Sequence, residues 1–335
     1  MIACLGEALF DMVPIGNPDG AAAPGPVSPG LAATRPLAPS LSFAARPGGC
    51  PYTSAIAAAR LGAPTSFLGR VGTDFLGEIL VKRLSDNGVD SSLVARREGH
   101  STLAFVKREA DGSARYAFYS KGAADTSLDA GDLPSRLGPG VVFLLVGSIS
   151  LAQEPSGSTI EAFASREASR VLLSIDPNAR PGLFGNDDAW RARLLRMIPY
   201  AAILRLSDED LAWLCPKQEP EAVIADFLSM GPELVVLTRG ASGSEIHKKG
   251  GVLRAKAVPV EVVDTIAAGD TFHAAFLASL LESGVRDRAS LHALDEGQLW
   301  RALDRAGAAA AMDCLRAGAE PPTAGELAAF MESRK

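Results

Sequence analysis

Short apolar runs recur along the chain, and each stops at a polar or glycine-rich cluster. Residues 2–5 precede Gly6 and Glu7, 141–146 precede Gly147 and Ser148, and 171–175 precede Asp176, Pro177 and Asn178. In the same way 202–206 end at the cluster Ser207 to Asp210, and 234–237 at Thr238, Arg239 and Gly240. Continuous rather than alternating apolar character belongs to strands covered on both faces, and the intervals are long enough for crossover helices. The pattern therefore predicts an α/β fold, a doubly wound and mostly parallel central sheet with helices on both faces. Ligands bind such sheets outside the carboxyl ends of the strands, where these polar clusters fall.

Two stretches depart from this pattern. Residues 17–49 are dense in Pro, Ala and Gly without a helical period and read as an extended loop. Residues 102–119 carry two β-rich runs, TLAFVKR and ARYAFYS, around Asp111 and Gly112, a hairpin signal. Together they predict a small β lid built from about 12–46 and 99–121. After Gly240, short strands are expected within 244–263 and helices over 268–283 and 298–315. No internal repeat is visible, so 1–335 reads as one domain carrying that lid.

Composition narrows the functional class. With 335 residues and 47% hydrophobic content the chain can bury a large core. A formal net charge of -6, with Lys and Arg scattered, excludes the electrostatic footprint of a nucleic-acid binder. Cys4, Cys50, Cys215 and Cys314 form no CxxC pair, which argues against zinc and disulfides. The N-terminal stretch meets Glu7 and Asp11 before any signal-length apolar run, and the run 141–146 is too short to span a bilayer. A cytoplasmic protein without membrane partners is expected. There is no GxxxxGK[ST] loop, strand-bound GxGxxG, GxSxG or HExxH pattern, and the four histidines are isolated.

The most informative stretch is DTIAAGDTF, residues 264–272. Small residues at Ala267, Ala268 and Gly269 leave backbone N–H groups free to converge, and the spacing of Phe272, Phe276 and Leu280 predicts a helix that begins there. Free donors at a helix N-terminus form an anion site. An Asp at the same turn, Asp270, is placed to accept a proton from an attacking hydroxyl while those donors hold charge on a transferring phosphoryl group. A purely structural role, Asp270 as helix cap, stands beside that reading.

DTIAAGDTF resembles the C-terminal signature DTxGAGDxF of the ribokinase-like (PfkB) carbohydrate kinases, and GRVGTDFLG at 69–77 resembles their N-terminal glycine-rich signature. GEALFDMVP, GSISLAQEP, DPNARP, LSDEDLAWL and TRGASG are similar to the corresponding stretches of bacterial fructokinases. The resemblance implies an ATP-dependent kinase for a sugar hydroxyl, with D-fructose giving fructose 6-phosphate. Asp270 would be the base and Ala267, Ala268 and Gly269 the anion hole, aided by Arg180. Ala267 stands where relatives have glycine, so a positive φ there would strain its β-carbon. Sugar contacts are implied for Asp11, Gly48, Gly49, Asn178 and Thr53, the last in place of the usual Asn, and for Phe105 and Phe118 on the lid. Nucleotide contacts are implied for Arg205, Ser207, Thr238, Arg239, Gly240, Gly243 and Gly269; for Arg205 a solvated strand-end charge is an equal reading. Asp210 would serve Mg²⁺ through water, and backbone carbonyls of Asp264 and Ile266 would serve K⁺. Lids in this family often pair across a homodimer. The other readings are a kinase for another small sugar, such as 2-keto-3-deoxygluconate or ribose, and a non-catalytic sugar- or nucleotide-binding relative.

Overall fold

The computed structural model describes residues 1–15, 42–108 and 114–334. Most of the Pro-, Ala- and Gly-rich stretch, and the turn at Asp111 and Gly112, lie outside the described residues. The chain starts with β1 (Ile2–Leu5), β2 (Leu9–Ile15), β3 (Ser42–Gly48), α1 (Cys50–Arg60), β4 (Thr65–Gly72), α2 (Phe75–Asp86) and β5 (Val94–Arg97). The antiparallel pair β6 (Thr102–Arg108) and β7 (Ala114–Tyr119) follows. Strands and helices then alternate: β8 (Phe143–Gly147), α3 (Ser156–Glu167), β9 (Leu172–Asp176), α4 (Asp187–Met197), β10 (Ile203–Ser207), α5 (Asp208–Leu214), α6 (Pro220–Met230) and β11 (Leu234–Thr238). The last elements are β12 (Ser244–Lys248), β13 (Gly251–Ala255), α7 (Ala268–Glu282), α8 (Arg288–His292), α9 (Glu296–Cys314) and α10 (Ala324–Glu332).

The main sheet has the order β13-β12-β11-β10-β9-β8-β1-β4-β5. From β5 to β11 every pairing is parallel, and β12 and β13 extend the edge antiparallel. Successive strand side chains enter different cores. Ile2, Cys4, Phe143 and Leu145 pack with α1, α7 and α9, whereas Ala3, Leu5, Leu144 and Val146 pack with α3, α4 and α6. Both faces are covered, which is why the runs are continuously apolar; each fully buried Leu or Phe contributes roughly 1.5–3 kcal/mol. At the carboxyl ends β8 and β9 approach so closely that a Cβ on Gly147 would lie 1.7 Å from the Asp176 carbonyl oxygen.

A second sheet, β3-β2-β6-β7, stands over those ends. It starts at Leu9 and reaches Gly48, slightly beyond the bounds expected for the lid. Its two faces differ in partners. Leu9, Ala104, Tyr116 and Phe118 pack inward with Ile149 of the main body. Phe105 instead makes edge contacts with Phe43 and Tyr119, at centroid separations of 5.0 and 5.3 Å, on the outer face.

Candidate active site

Asp270 sits at the third position of α7, whose N-cap is Ala267 with φ 66 and ψ 4, in the left-handed region. The strain expected of a β-carbon there is therefore real. No side chain caps this helix; the Ala268 amide donates to the Thr265 carbonyl at 3.3 Å, and the neighbouring first-turn amides are left for another acceptor. Asp270 itself is buried, and Asn178 Nδ2 approaches its Oδ1 at 3.4 Å. Burial drives its pKa up to about 8, with the Asp176 charge adding to the rise; the Cys50 thiol, Arg205 and Arg180 pull the other way.

Beneath it lies a buried ionic floor. Arg205 Nη1 donates to both Asp176 oxygens at 3.1 and 3.0 Å, and its Nη2 donates to Thr238 Oγ1 at 2.7 Å. Burial disfavours the Asp176 charge, but Arg205 and His273 outweigh it and hold that carboxyl below its ordinary value. A Cβ on Gly269 would come within 2.9 Å of Arg205 Nη2, so the first turn of α7 rests directly on the guanidinium. Arg205 is 6% exposed, which decides against a solvated strand-end charge.

Two cavities meet at this turn. The first is walled by Asp11, Gly49, Asn178, Arg180, Ala267 and Asp270, all anticipated from the sequence, together with Phe118 and Ile266. Asp11 rises to about 7 through burial, which the nearby Arg180 charge only partly offsets. The Arg180 guanidinium lies 5.7 Å from the centroid of the Tyr116 ring. Gly48 is set back from this wall, but a Cβ there would lie 2.2 Å from Asp11 Oδ2, so the missing side chain makes room for the carboxylate.

Several wall residues were not foreseen: Glu7, Leu9, Cys50, Tyr116, Ser148 and Ile149. Glu7 is the organiser among them. Its Oε1 accepts from Cys50 N at 3.1 Å and its Oε2 from Ser150 N at 3.3 Å, joining the start of α1 to the turn after β8. Its place in the quoted GEALFDMVP motif was the available signal.

The second cavity, about 550 Å³, is lined by the expected Arg205, Thr238, Gly240, Gly243 and Gly269. Its remaining wall is largely apolar, formed by the stretch 256–262, by Phe272 and by one face of α9. On α9, Gly307, Ala310, Ala311 and Cys314 recur at helical spacing and keep that face shallow. The signal for this wall in the sequence is the helical spacing of these small residues.

Some expected residues stand elsewhere. Thr53 is buried one turn inside α1, its amide bonded to the Gly49 carbonyl, and Cys50 holds the place at the wall. Phe105 is on the outer lid face. Arg239 turns to Glu245, at 3.5 Å. Ser207 and Asp210 form the capping box of α5. The Asp210 carboxylate accepts from Ala179 N at 2.7 Å, Ser207 N at 2.9 Å and Ser207 Oγ at 2.7 Å, which ties β10 to the loop carrying Asn178 and Arg180. Asp264 accepts from Ile266 N at 3.2 Å and Gly318 N at 3.0 Å, shaping the turn before Ala267. Among the described residues no helix is long and apolar enough to cross a membrane.

The model of the pfkB family carbohydrate kinases matches residues 23–324. A fructokinase of Rhizobium leguminosarum bv. trifolii is 38% identical over 299 residues, 89% of this chain and 85% of its own length. A rice fructokinase-1 is 32% identical over 338 residues, 99% of this chain and 98% of its own. Among solved structures, the ATP-bound fructokinase of Xylella fastidiosa superimposes with a TM-score of 0.86 at 25% identity, covering 99% of this chain and 98% of that one. The fructokinase of Vibrio cholerae O395 bound to fructose, ADP and calcium ion superimposes at 0.79 and 27% identity, covering 99% and 97%.

Proposed function

Since the chain belongs to the pfkB family of carbohydrate kinases, phosphotransferases with an alcohol acceptor, we propose that it transfers the γ-phosphoryl group of ATP to D-fructose, giving fructose 6-phosphate. One observation carries this reading: a buried carboxylate, Asp270, stands in the wall of the smaller cavity, and its neighbour Gly269 lines the larger one. The sugar occupies the smaller cavity and the nucleotide the larger, with the two reactants facing each other across the first turn of α7. The fructokinases of Rhizobium and Vibrio supply the substrate, and the ATP-bound Xylella enzyme the donor.

In this geometry Asp270 takes the proton of the attacking hydroxyl as its oxygen bonds to the γ-phosphorus. The bond from that phosphorus to the bridging oxygen breaks, and ADP departs. The amides at Ala267 and Gly269 serve the transferring oxygens, that of Ala268 joins them on leaving its long bond to the Thr265 carbonyl, and Arg180 adds positive charge from the sugar side. Asp11 and Asn178 accept and donate hydrogen bonds to sugar hydroxyls, with Gly49 giving the backbone close access and Phe118 covering the apolar sugar face. Thr238, Gly240 and Gly243 border the nucleotide, and Arg205 supports the turn from below.

Mg²⁺ would be carried in by the triphosphate and would neutralise its charge. Asp210, with three hydrogen bonds already on its carboxylate, is fitted to hold the 178–180 loop in place rather than to ligate the ion. A K⁺ ion would suit the turn at Asp264 and Ile266. The nearby Asp313 carboxylate feels the Asp264 charge, and its Oδ2 is buried without a hydrogen-bond partner, a need that a cation would meet. Activation by K⁺ over a bulky organic cation at matched ionic strength is expected; equal rates would remove the cation. The outer lid face, with Tyr119 64% exposed, supports pairing of two copies, to be read as the mass in sedimentation. Dependence on ATP supports a cytoplasmic location.

The test is a coupled ATP assay over hexoses, pentoses and sugar acids. D-Fructose should give the highest kcat/KM. Another sugar at least ~10-fold better, about 1.4 kcal/mol of transition-state discrimination, would overturn the substrate and leave the kinase.

A further inference from the structure

Arg46 lies on β3 directly opposite Asp11 of β2, so the carboxylate at the cavity wall and this guanidinium share one rung of the lid sheet. Cross-strand partners project to the same face. Arg46 does not turn to the sugar cavity. It reaches out of the lid to the loop after α9, where its Nη1 donates to the Ala317 carbonyl at 2.6 Å. The next residue, Gly318, has φ 78, and a Cβ there would lie 2.8 Å from Arg46 Cδ and Nη1. Glycine at 318 thus provides both the backbone bend and the passage for the guanidinium.

The loop that receives Arg46 is not peripheral. Gly318 N donates to Asp264 Oδ2 at 3.0 Å, and Asp264 Oδ1 accepts from Ile266 N at 3.2 Å. Ile266 is followed by Ala267, the strained N-cap of α7, and both residues wall the sugar cavity. A continuous series of hydrogen bonds therefore runs from the lid, through Ala317 and Gly318, to the turn whose amides face the phosphoryl group.

We propose that Arg46 is a positioning residue that couples lid closure over the sugar to the geometry of the 264–269 turn, so that sugar and nucleotide strengthen each other's binding. This rests on the reading of the two cavities as sugar and nucleotide sites. Sugar hydroxyls pull on Asp11; its rung-mate Arg46 moves with it and draws the 317–318 loop, and with it Asp264 and Ile266, into register. If Arg46 merely anchored the lid, its removal would change stability or sugar affinity but leave the coupling between the two ligands as in wild type.

The experiment is calorimetric titration of full-length protein with a non-hydrolysable ATP analogue, in the absence and presence of saturating D-fructose, for wild type, Arg46→Ala and Arg46→Lys. Wild type should bind the analogue roughly fivefold or more tightly with fructose present. Arg46→Ala should lose that gain to within about twofold of none and raise KM for fructose, and Arg46→Lys should recover part of it because one donor remains. A wild type without coupling, or an Arg46→Ala protein that keeps it, overturns the proposal. A wild type that turns over no sugar with ATP overturns instead the reading beneath it.

Discussion

A carboxylate in the first turn of a helix usually stabilises it, but Asp270 is held in conditions that oppose its charge. Its folded pKa of about 8 lies above the ordinary 3.8, so the folded state retains a proton that the unfolded chain releases. Between those values stability must fall as pH rises, because the folded state binds more protons there. Asp270→Asn removes the titration while keeping the shape. The variant should therefore resist denaturant better than wild type at pH 8 and no better near pH 4, while kcat falls by roughly a hundredfold to ten-thousandfold. Nucleotide affinity should hardly change. A variant that keeps more than about a tenth of wild-type kcat, a loss under ~1.4 kcal/mol, ends the assignment of Asp270 as base. In wild type, kcat/KM should climb as pH approaches about 8 from below, since only the ionised carboxylate accepts a proton. The neighbouring Ala267 pays for its φ of 66 with about 1–2 kcal/mol of left-handed strain. Ala267→Gly relieves it but loosens the unfolded chain, so a net gain of up to ~1 kcal/mol is expected by denaturation. A loss of stability would show that the alanine methyl packs to better effect than its strain costs.

Strand periodicity decides which lid aromatic serves the sugar. Phe118 faces the cavity and stacks on Tyr116 at 5.8 Å, whereas Phe105, opposite Ala117 on the next strand, turns outward. Phe118→Ala should raise KM for fructose about 2- to 10-fold, the worth of one aromatic contact. Phe105→Ala should leave KM within twofold, and a comparable rise in both variants would mean that the lid, not the ring, was disturbed. The sequence showed these aromatics on a hairpin but not which face each would take, because the face depends on how β6 pairs with β2. The position of Thr53 inside α1 is non-local in the same way. Spacing after the double glycine does not say where a helix begins; Glu7, distant in sequence, accepts the Cys50 amide and starts α1 there, leaving Thr53 one turn inside. The 264–272 turn was legible because its residues are contiguous: the helix start and the place of Asp270 in its first turn follow from local sequence, whereas the burial of Asp270 comes from distant neighbours such as Asn178 and Cys50.

At the scale of the molecule, the parallel sheet was readable from runs that are apolar on both faces, while the strand order was not. That β1 sits between β4 and β8, and that β2 pairs in parallel with β6 inside the lid, are choices of non-local pairing that composition does not encode. The same non-locality hid the ion pair that joins the halves of the site. Asp176 ends β9, Arg205 lies on β10 and Thr238 ends β11, and only parallel pairing in this order brings them together. Two opposed charges under the meeting point of both cavities stabilise each other, since Asp176 is fully buried and Arg205 nearly so. Arg205→Ala leaves the Asp176 carboxylate buried with His273 and no permanent cation. Such a loss costs about 3–5 kcal/mol, measurable by chemical denaturation, and KM for ATP should rise as the first turn of α7 loses its support. Arg205→Lys keeps the charge but not the fork that spans Asp176 and Thr238, so it should regain stability more fully than nucleotide affinity. If Arg205→Ala unfolds within ~1 kcal/mol of wild type, water reaches Asp176 in solution and the floor of the site is softer than its burial implies.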